Sequence, residues 1–319
     1  MLTRRSLPGL LLASPALAQA FPQRPIRLVI PFTAGGSNDI LGRILAEGMA
    51  TRLGVPIVVE NRGGAGGVLG NDLVAKAPAD GHTILLAGSG SFVISALTHP
   101  RVPYDPERDF SPVGLMGASP NIIAADPRLG INDLAALRER GRNANPSLTF
   151  GTAGAGTTAH ALGAMTSLTL GIPLEFVHYR GTAPALQDVL AGRVSLISNA
   201  AAPFIPFLSA GTLRGIAVAG RGRSKVAPTI PTSVEQGFPD LDSATWYGLV
   251  APAGTPDTVR ARLLEAMNAT LADAPTAARI EEQGCEVETS RTPEEFGRFL
   301  ERERQRWGVV VERGRMREG

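Results

Sequence analysis

The chain has 319 residues, 44% hydrophobic and 19% charged, with a formal net charge of +2; that is ordinary globular composition, long enough for two domains of common size. Its basic set is almost all arginine, with lysine only at Lys76 and Lys225, and in "EEFGRFLERERQRW" the arginines sit beside glutamates as on a solvated helix face, not a nucleic-acid surface. Aromatic residues make up 5%, too few for base-stacking platforms, and the single cysteine, Cys285, excludes an internal disulfide and reads as a small buried apolar residue.

Residues 1–20, "MLTRRSLPGLLLASPALAQA", combine a charged start, a short apolar stretch and Ala18-Gln19-Ala20, the pattern of a signal peptide cleaved near Phe21. Arg4 and Arg5 are compatible with twin-arginine export. The apolar stretch is too short to span a bilayer, so the mature protein is expected to be exported, soluble and periplasmic.

The run "IRLVI" (26–30) predicts a strand, followed by the glycine turn "PFTAGGSND" (31–39). The stripe of Ile40, Leu41, Ile44, Leu45, Met49 and Leu53 predicts a helix stopped by Gly54. "PIVVE" (56–60) and "TILLAG" (83–88) read as further strands. "FSPVGLMGASPNIIAAD" (110–126) is long, apolar and extended, and reads as a crossover between domains. A second unit follows: a helix around Leu134 and Leu137, the strand "LTFGT" (148–152), and a second glycine turn, "GTAGAGTTAH" (151–160). The strand "LEFVHY" (174–179) precedes a helix from Thr182 and Pro184 to Gly192, and the strands "VSLIS" (194–198) and "LRGIAVAG" (213–220) come next. "ATWYGLVAPAGTP" (244–256) reads as the return crossover. The helices from Asp257 onward then return to the first domain. "TPEE" (292–295) is a capping box before an apolar face of Phe296, Phe299, Leu300 and Trp307. The apolar runs read as buried parallel strands, and strand–helix alternation in two units predicts an α/β architecture.

Both glycine turns stand where a strand gives way to a helix, and α/β sheets bind ligands beyond the carboxyl ends of their strands. Unpaired N–H groups and the positive end of the helix dipole make such a turn an anion cradle. Glycine permits close approach and positive φ, and Ser37, Asn38, Thr157 and Thr158 add short polar side chains. Asp39 can cap its helix or face a cationic group on a ligand, and either turn can equally be an ordinary βα connection.

Gly154-x-Gly156-x-x-Ala159 is a loose dinucleotide fingerprint, but the acidic residue expected at the end of the next strand is missing: Glu175 starts that strand and Arg180 follows it. The chain has no G-x-x-x-x-G-K-[ST], no G-x-S-x-G ("GSGS" at 88–91 is out of register), no H-E-x-x-H and no Cys/His cluster. His82, His99, His160 and His178 lie far apart in sequence, and His160, beside the second cradle, has the best functional case. No catalytic residue, metal or cofactor is expected.

Several longer motifs occur in one order: "FPQRPIRLVIPFTAGGSND", "IVVENRGGAGG", "DGHTILLAGSG", "VPYDPERDFSPVGLM", "HYRGTAPALQDVLAGRV", "TIPTSVEQG" and "WYGLVAPAGTP". Through them the chain, from about Phe21 to about Trp307, resembles the extracytoplasmic solute-binding proteins of tripartite tricarboxylate transporters, the Bug or TctC family. The resemblance implies a two-lobed periplasmic binding protein of type II topology, its ligand cleft between the lobes. It implies capture of a small organic carboxylate without catalysis, and integral membrane transporter subunits as partners. The expected lobes are 21–121 plus 245–319 and 122–244, hinged near Gly117–Asn121 and Ala244–Gly248, and a monomer is expected. The turns Phe32–Asp39 and Thr152–His160 would grip one carboxylate. Ligand contacts are accordingly expected at Phe32, Ala34, Gly35, Gly36, Ser37, Asn38, Asp39, Ser89, Thr152, Gly154, Ala155, Gly156, Thr157, Thr158, His160, Tyr179, Asn199 and Trp246. Where the family often has an acidic and amide pair after its G-x-V strand, Ser195 replaces the first aspartate and Asn199 stands near the second, so this floor of the cleft is expected to be less acidic. Two alternatives stay open: an NAD-dependent or other enzyme using the same cleft, and a sensory receptor serving a membrane kinase. The ligand itself is not named by the sequence.

Overall fold

The computed structural model describes residues 21–99, 101–314 and 316–317. The expected signal peptide lies outside these residues.

Strand β1 (Ile26–Ile30) buries every residue but Arg27, and runs parallel between β2 (Ile57–Asn61) and β3 (Thr83–Gly88). Helix α1 (Ser37–Leu53) lays Leu41, Ile44, Leu45, Met49 and Leu53 on this sheet and ends at Gly54, whose φ of 72° closes it in the left-handed region. A tight 3-10 turn (Ala65–Gly67) leads into α2 (Val68–Ala75), and a π-helical turn (Ser89–Ile94) leads into α3 (Ser95–Thr98). The second unit follows. It comprises β4 (Phe110–Ala125), α4 (Leu134–Arg142), β5 (Leu148–Thr152), α5 (Thr158–Leu170), β6 (Leu174–His178), α6 (Thr182–Leu190), β7 (Leu196–Ala200), α7 (Ile205–Ser209) and β8 (Arg214–Val218). Then come β9 (Ala244–Pro252), α8 (Asp257–Leu271), α9 (Ala274–Glu281), β10 (Glu286–Val287) and α10 (Pro293–Arg313).

The strand order is β2-β1-β3-β9-β4-β7-β5-β6, with β8 and β10 also on β4. One strand therefore serves two lobes. From Phe110 to Pro120, β4 pairs antiparallel with β9 and briefly with β10; from Asn121 to Ala125 it pairs antiparallel with β7 and β8. Each lobe has an apolar core on both faces of its sheet. The C-terminal helices pack on the first lobe: α8 places Leu263, Leu264 and Met267 against α1, and α10 buries Phe296, Trp307 and Val311. Thr292 caps α10, accepting the Glu295 N–H at 3.2 Å, while the Glu295 carboxylate accepts the N–H of Arg291 at 2.7 Å. Among the described residues no helix is long and apolar enough to cross a membrane.

The sequence expectations need four corrections here. Residues 110–125 and 244–252 are not bare crossovers but long strands paired with each other. β8 is not parallel; it runs antiparallel to β4. β2 and β6 form the edges of the sheet and are only partly buried. β7 begins two residues later than its apolar run, because the Ser195 backbone N–H bonds the Thr149 hydroxyl at 2.9 Å and the two hydroxyls meet at 3.2 Å, side chains taking the place of the ladder.

Candidate ligand-binding site

The two glycine loops are built alike. In the first, Gly35 has φ +84° and Gly36 is the N-cap of α1; Asp39, one turn into the helix, reaches back and accepts the Gly35 N–H at 2.9 Å. In the second, Gly156 has φ +68° and Thr157 is the N-cap of α5; His160 reaches back, its Nδ1 accepting the Gly156 N–H at 3.1 Å. Asp39 and His160 thus perform the same task, the return half of a capping box. Of the two roles open to Asp39, the structure shows capping.

Their electrostatics differ. Burial alone would raise the pKa of Asp39, but bonds from Arg43, the Gly35 N–H and Asn61 outweigh it and hold the carboxyl below its usual range. His160 must be neutral to accept an N–H. Burial, aided by the neighbouring His178 ring 4.8 Å away, pushes its pKa down to about 4. The Thr157 hydroxyl is used within its own loop, donating to the Gly154 carbonyl at 2.7 Å and accepting the His160 N–H at 3.4 Å.

Between the loops lies a cavity of about 20 Å³, room for one or two waters. Its walls are Phe32, Gly36, Ser37, Asn38, Gly88, Gly90, Ser91, Ala153, Thr157, Thr158, Ala159, Thr182, Asn199 and Thr245, so none of the lining side chains among the described residues is charged. Helices α1, α5 and α6 all begin at this wall, behind Gly36, Thr157 and Gly181. Their first-turn N–H groups have no helical acceptor and carry the positive end of the dipole. Two buried polar groups on the wall have no protein partner: the amide nitrogen of Asn38 and the hydroxyl of Ser91. The Asn199 amide donates to the Thr182 hydroxyl at 2.7 Å, which orients that side chain at the start of α6. Behind the wall, the Thr245 hydroxyl donates to Asn121 Oδ1 at 2.9 Å and lies 3.3 Å from the Thr158 hydroxyl.

Phe32, Gly36, Ser37, Asn38, Thr157, Thr158 and Asn199 are thus brought together as expected from sequence. Other expected residues are placed elsewhere. The Ser89 hydroxyl points to the Ala244 carbonyl, and the Tyr179 hydroxyl bonds Asp188 at 2.5 Å. Trp246 packs in the core against Phe296 and Phe299. Thr152 supports its loop from behind, between His178 and the Gly154 N–H. Ala34 and Gly35 are exposed, and Asp39 and His160 lock the loops.

Gly154, Ala155 and Gly156 face the other lobe. A Cβ on Gly154 would sit 3.0 Å from Gly66 Cα, and one on Gly156 would sit 2.1 Å from the Thr98 hydroxyl. The nearest atoms to a Cβ on Gly35 or Gly36 are likewise those of Ala183 and Thr182, across the cleft. Glycine is required here by lobe against lobe, where the sequence suggested ligand against backbone. Six wall residues were missed: Gly88, Gly90, Ser91, Ala153, Thr182 and Thr245. Ser91 lies just past the carboxyl end of β3, and Thr182 opens a helix after β6, so strand ends were a usable signal for both.

Two α/β lobes sharing a strand, with helix N-termini converging on a neutral cleft, define a bilobal solute-binding protein. The chain belongs to the TctC family, the receptors of tripartite tricarboxylate transporters, whose profile matches residues 41–315. It is 36% identical over 315 residues to the UPF0065 protein of the tcbD–tcbE intergenic region of a Pseudomonas species (strain P51), covering 97% of this chain and 93% of that one. Among solved structures it is similar to the periplasmic binding protein BugD, with 32% identity, a TM-score of 0.88, and coverage of 94% and 100%. It is also similar to MatC from Rhodopseudomonas palustris with bound malate, with 31% identity, a TM-score of 0.85, and coverage of 91% and 100%. The protein is a solute-binding receptor of a periplasmic family, not an enzyme. The glycine run resembling a dinucleotide fingerprint is pressed against the first lobe, which leaves no room there for a pyrophosphate.

Proposed function

We propose that the protein captures a small organic carboxylate between its lobes and delivers it to integral membrane transporter subunits. The observation that carries this reading is the pair of buried, unpartnered donors, Asn38 Nδ2 and the Ser91 hydroxyl, on a wall where three helices begin. Such a wall offers fixed neutral donors and partial positive charge, which suit a carboxylate and do not suit a cation. The malate bound by MatC supports the same class of ligand. Ser37, Asn38, Ser91, Thr158 and Thr182 are the contacts we assign to it. The cavity is too small for a dicarboxylate, so its lining must yield to admit one.

The motion at hand is rotation about the shared strand. We place the lobes at 21–121 plus 245–319 and 122–244, with hinges where β4 changes partners near Pro120 and where β9 begins near Ala244. The protein acts as an exported monomer, cleaved near Phe21. A calorimetric and thermal-shift screen of the mature protein, with malate and other small carboxylates, tests the ligand class. A true ligand raises the unfolding midpoint with its concentration and lowers the radius of gyration in solution scattering. Binding of cationic solutes alone would remove the carboxylate reading.

A further inference from the structure

The segment "GGAGG" (63–67) has an unusual backbone. Gly64, Ala65, Gly66 and Gly67 have φ of 144°, 48°, 61° and 104°, a run of positive values that includes one alanine. L-residues adopt this conformation only at a cost, and such runs persist where surrounding structure demands them. What demands it is the second lobe. A Cβ on Gly63 would lie 2.8 Å from the Arg180 carbonyl, and one on Gly66 would lie 2.2 Å from the Ala155 carbonyl. Here backbone meets backbone across the cleft, and Gly66 meets Gly154 with no side chain between them. One side chain ties the seam. The fully buried Ser95 hydroxyl reaches the Gly66 carbonyl at 2.8 Å and the Gly156 carbonyl, across the cleft, at 3.2 Å. Gly156 is therefore held from both sides: its N–H by His160 within its own lobe, its carbonyl by Ser95 from the other.

We infer that residues 63–67 and Ser95 form a latch that holds the lobes shut, and that closure fixes the second loop in the shape that presents its helix N-terminus to the ligand. This rests on the reading of the cleft as the ligand site. In the open form the seam parts, Ser95 keeps only its bond to Gly66, and a methyl on Gly66 has space. Ser95 is a positioning residue: it lies behind the loop and acts through Gly156.

The test is a spin-label distance across the cleft, with cysteines introduced at Val58 and Leu168, which are 54% and 62% exposed and lie in different lobes. Native Cys285 is 0% exposed and stays unlabelled. Distances are measured without additive and with malate, on wild type, Ser95→Ala and Gly66→Ala, with circular dichroism confirming that each is folded. Wild type should populate the short distance of this structure. Gly66→Ala should raise the open-to-closed ratio at least about tenfold, because the methyl clashes only when the lobes meet, and Ser95→Ala should raise it several-fold. Ser95→Ala adds no atoms, so it remains informative if Gly66→Ala fails to fold. The latch is overturned if wild type never populates the short distance, or if the folded variants populate it as fully as wild type. Calorimetry with malate on the same samples separates the two ideas. Absent malate binding together with a short distance that the variants lose leaves the latch standing and counts against the carboxylate reading alone.

Discussion

Asn38 and Ser91 are each buried polar groups with no protein partner, a state that lowers stability by roughly 1–3 kcal/mol per group. Ser91→Ala should therefore stabilise the unliganded protein, by about 0.5–1 kcal/mol in urea denaturation, while weakening ligand binding about fivefold in calorimetry. A loss of both stability and binding would mark Ser91 as a structural hydroxyl only. His160 gives a pH dependence. Its folded pKa of about 4 lies below its ordinary 6.5, so between these values the unfolded chain takes up a proton that the fold excludes. Its contribution is complete above 6.5 and is lost as pH falls toward 4, a difference on the order of 2–3 kcal/mol. Stability measured between about pH 7 and pH 4.5 should fall further in wild type than in His160→Gln; equal slopes would mean that another group titrates. The locking role of Asp39 was legible as capping, and the helix position of His160 could be read from spacing. Thr245 and Trp246 show where legibility stops. Neighbours in a strand face opposite ways, and sequence alone could not say which of them faces the cleft: Thr245 lines the cavity and Trp246 fills the core.

The two loop–helix elements were found from sequence because strand end, glycine, cap and apolar stripe are all local signals. The reason for their glycines was not local. Gly36 has ordinary backbone geometry, and a Cβ there would touch Thr182 only at 3.7 Å; Gly154 has φ +141° and faces Gly66 at 3.0 Å. Gly36→Ala should thus cost no more than about 1 kcal/mol, the scale of a changed N-cap, whereas Gly154→Ala should cost more and reduce lobe closure as well. Denaturation and small-angle scattering on the two variants check this. Equal costs would show that closure places no demand on the second loop. The long strands β4 and β9 were read as crossovers for a related reason. Prolines and glycines interrupt their apolar pattern, and their pairing joins residues more than a hundred positions apart, as in Ala118 with Trp246. Nothing in either segment announces the other.

At the scale of the molecule, the sequence resemblance and the alternation of elements conveyed the bilobal plan. What they did not convey is how the chain is threaded through it. β9 lies in the middle of the first lobe's sheet, between β3 and β4, yet it follows the whole of the second lobe in the chain. The second lobe's strands, from Asn121 to Val218, are contiguous in sequence. A fragment of residues 121–243 should therefore fold cooperatively by circular dichroism, while a chain ending at residue 243 should leave residues 26–88 open to protease. Protection of β1 and β3 in the shortened chain would contradict this. The same threading sets the order of events for a chain delivered N-terminus first. The first lobe begins and is then interrupted, two sheet edges waiting for a strand not yet delivered, while the second lobe can finish. Until β9 slots in, the nascent protein carries its most adhesive surface uncovered, so the interval between those two arrivals is when aggregation competes most strongly with the native fold.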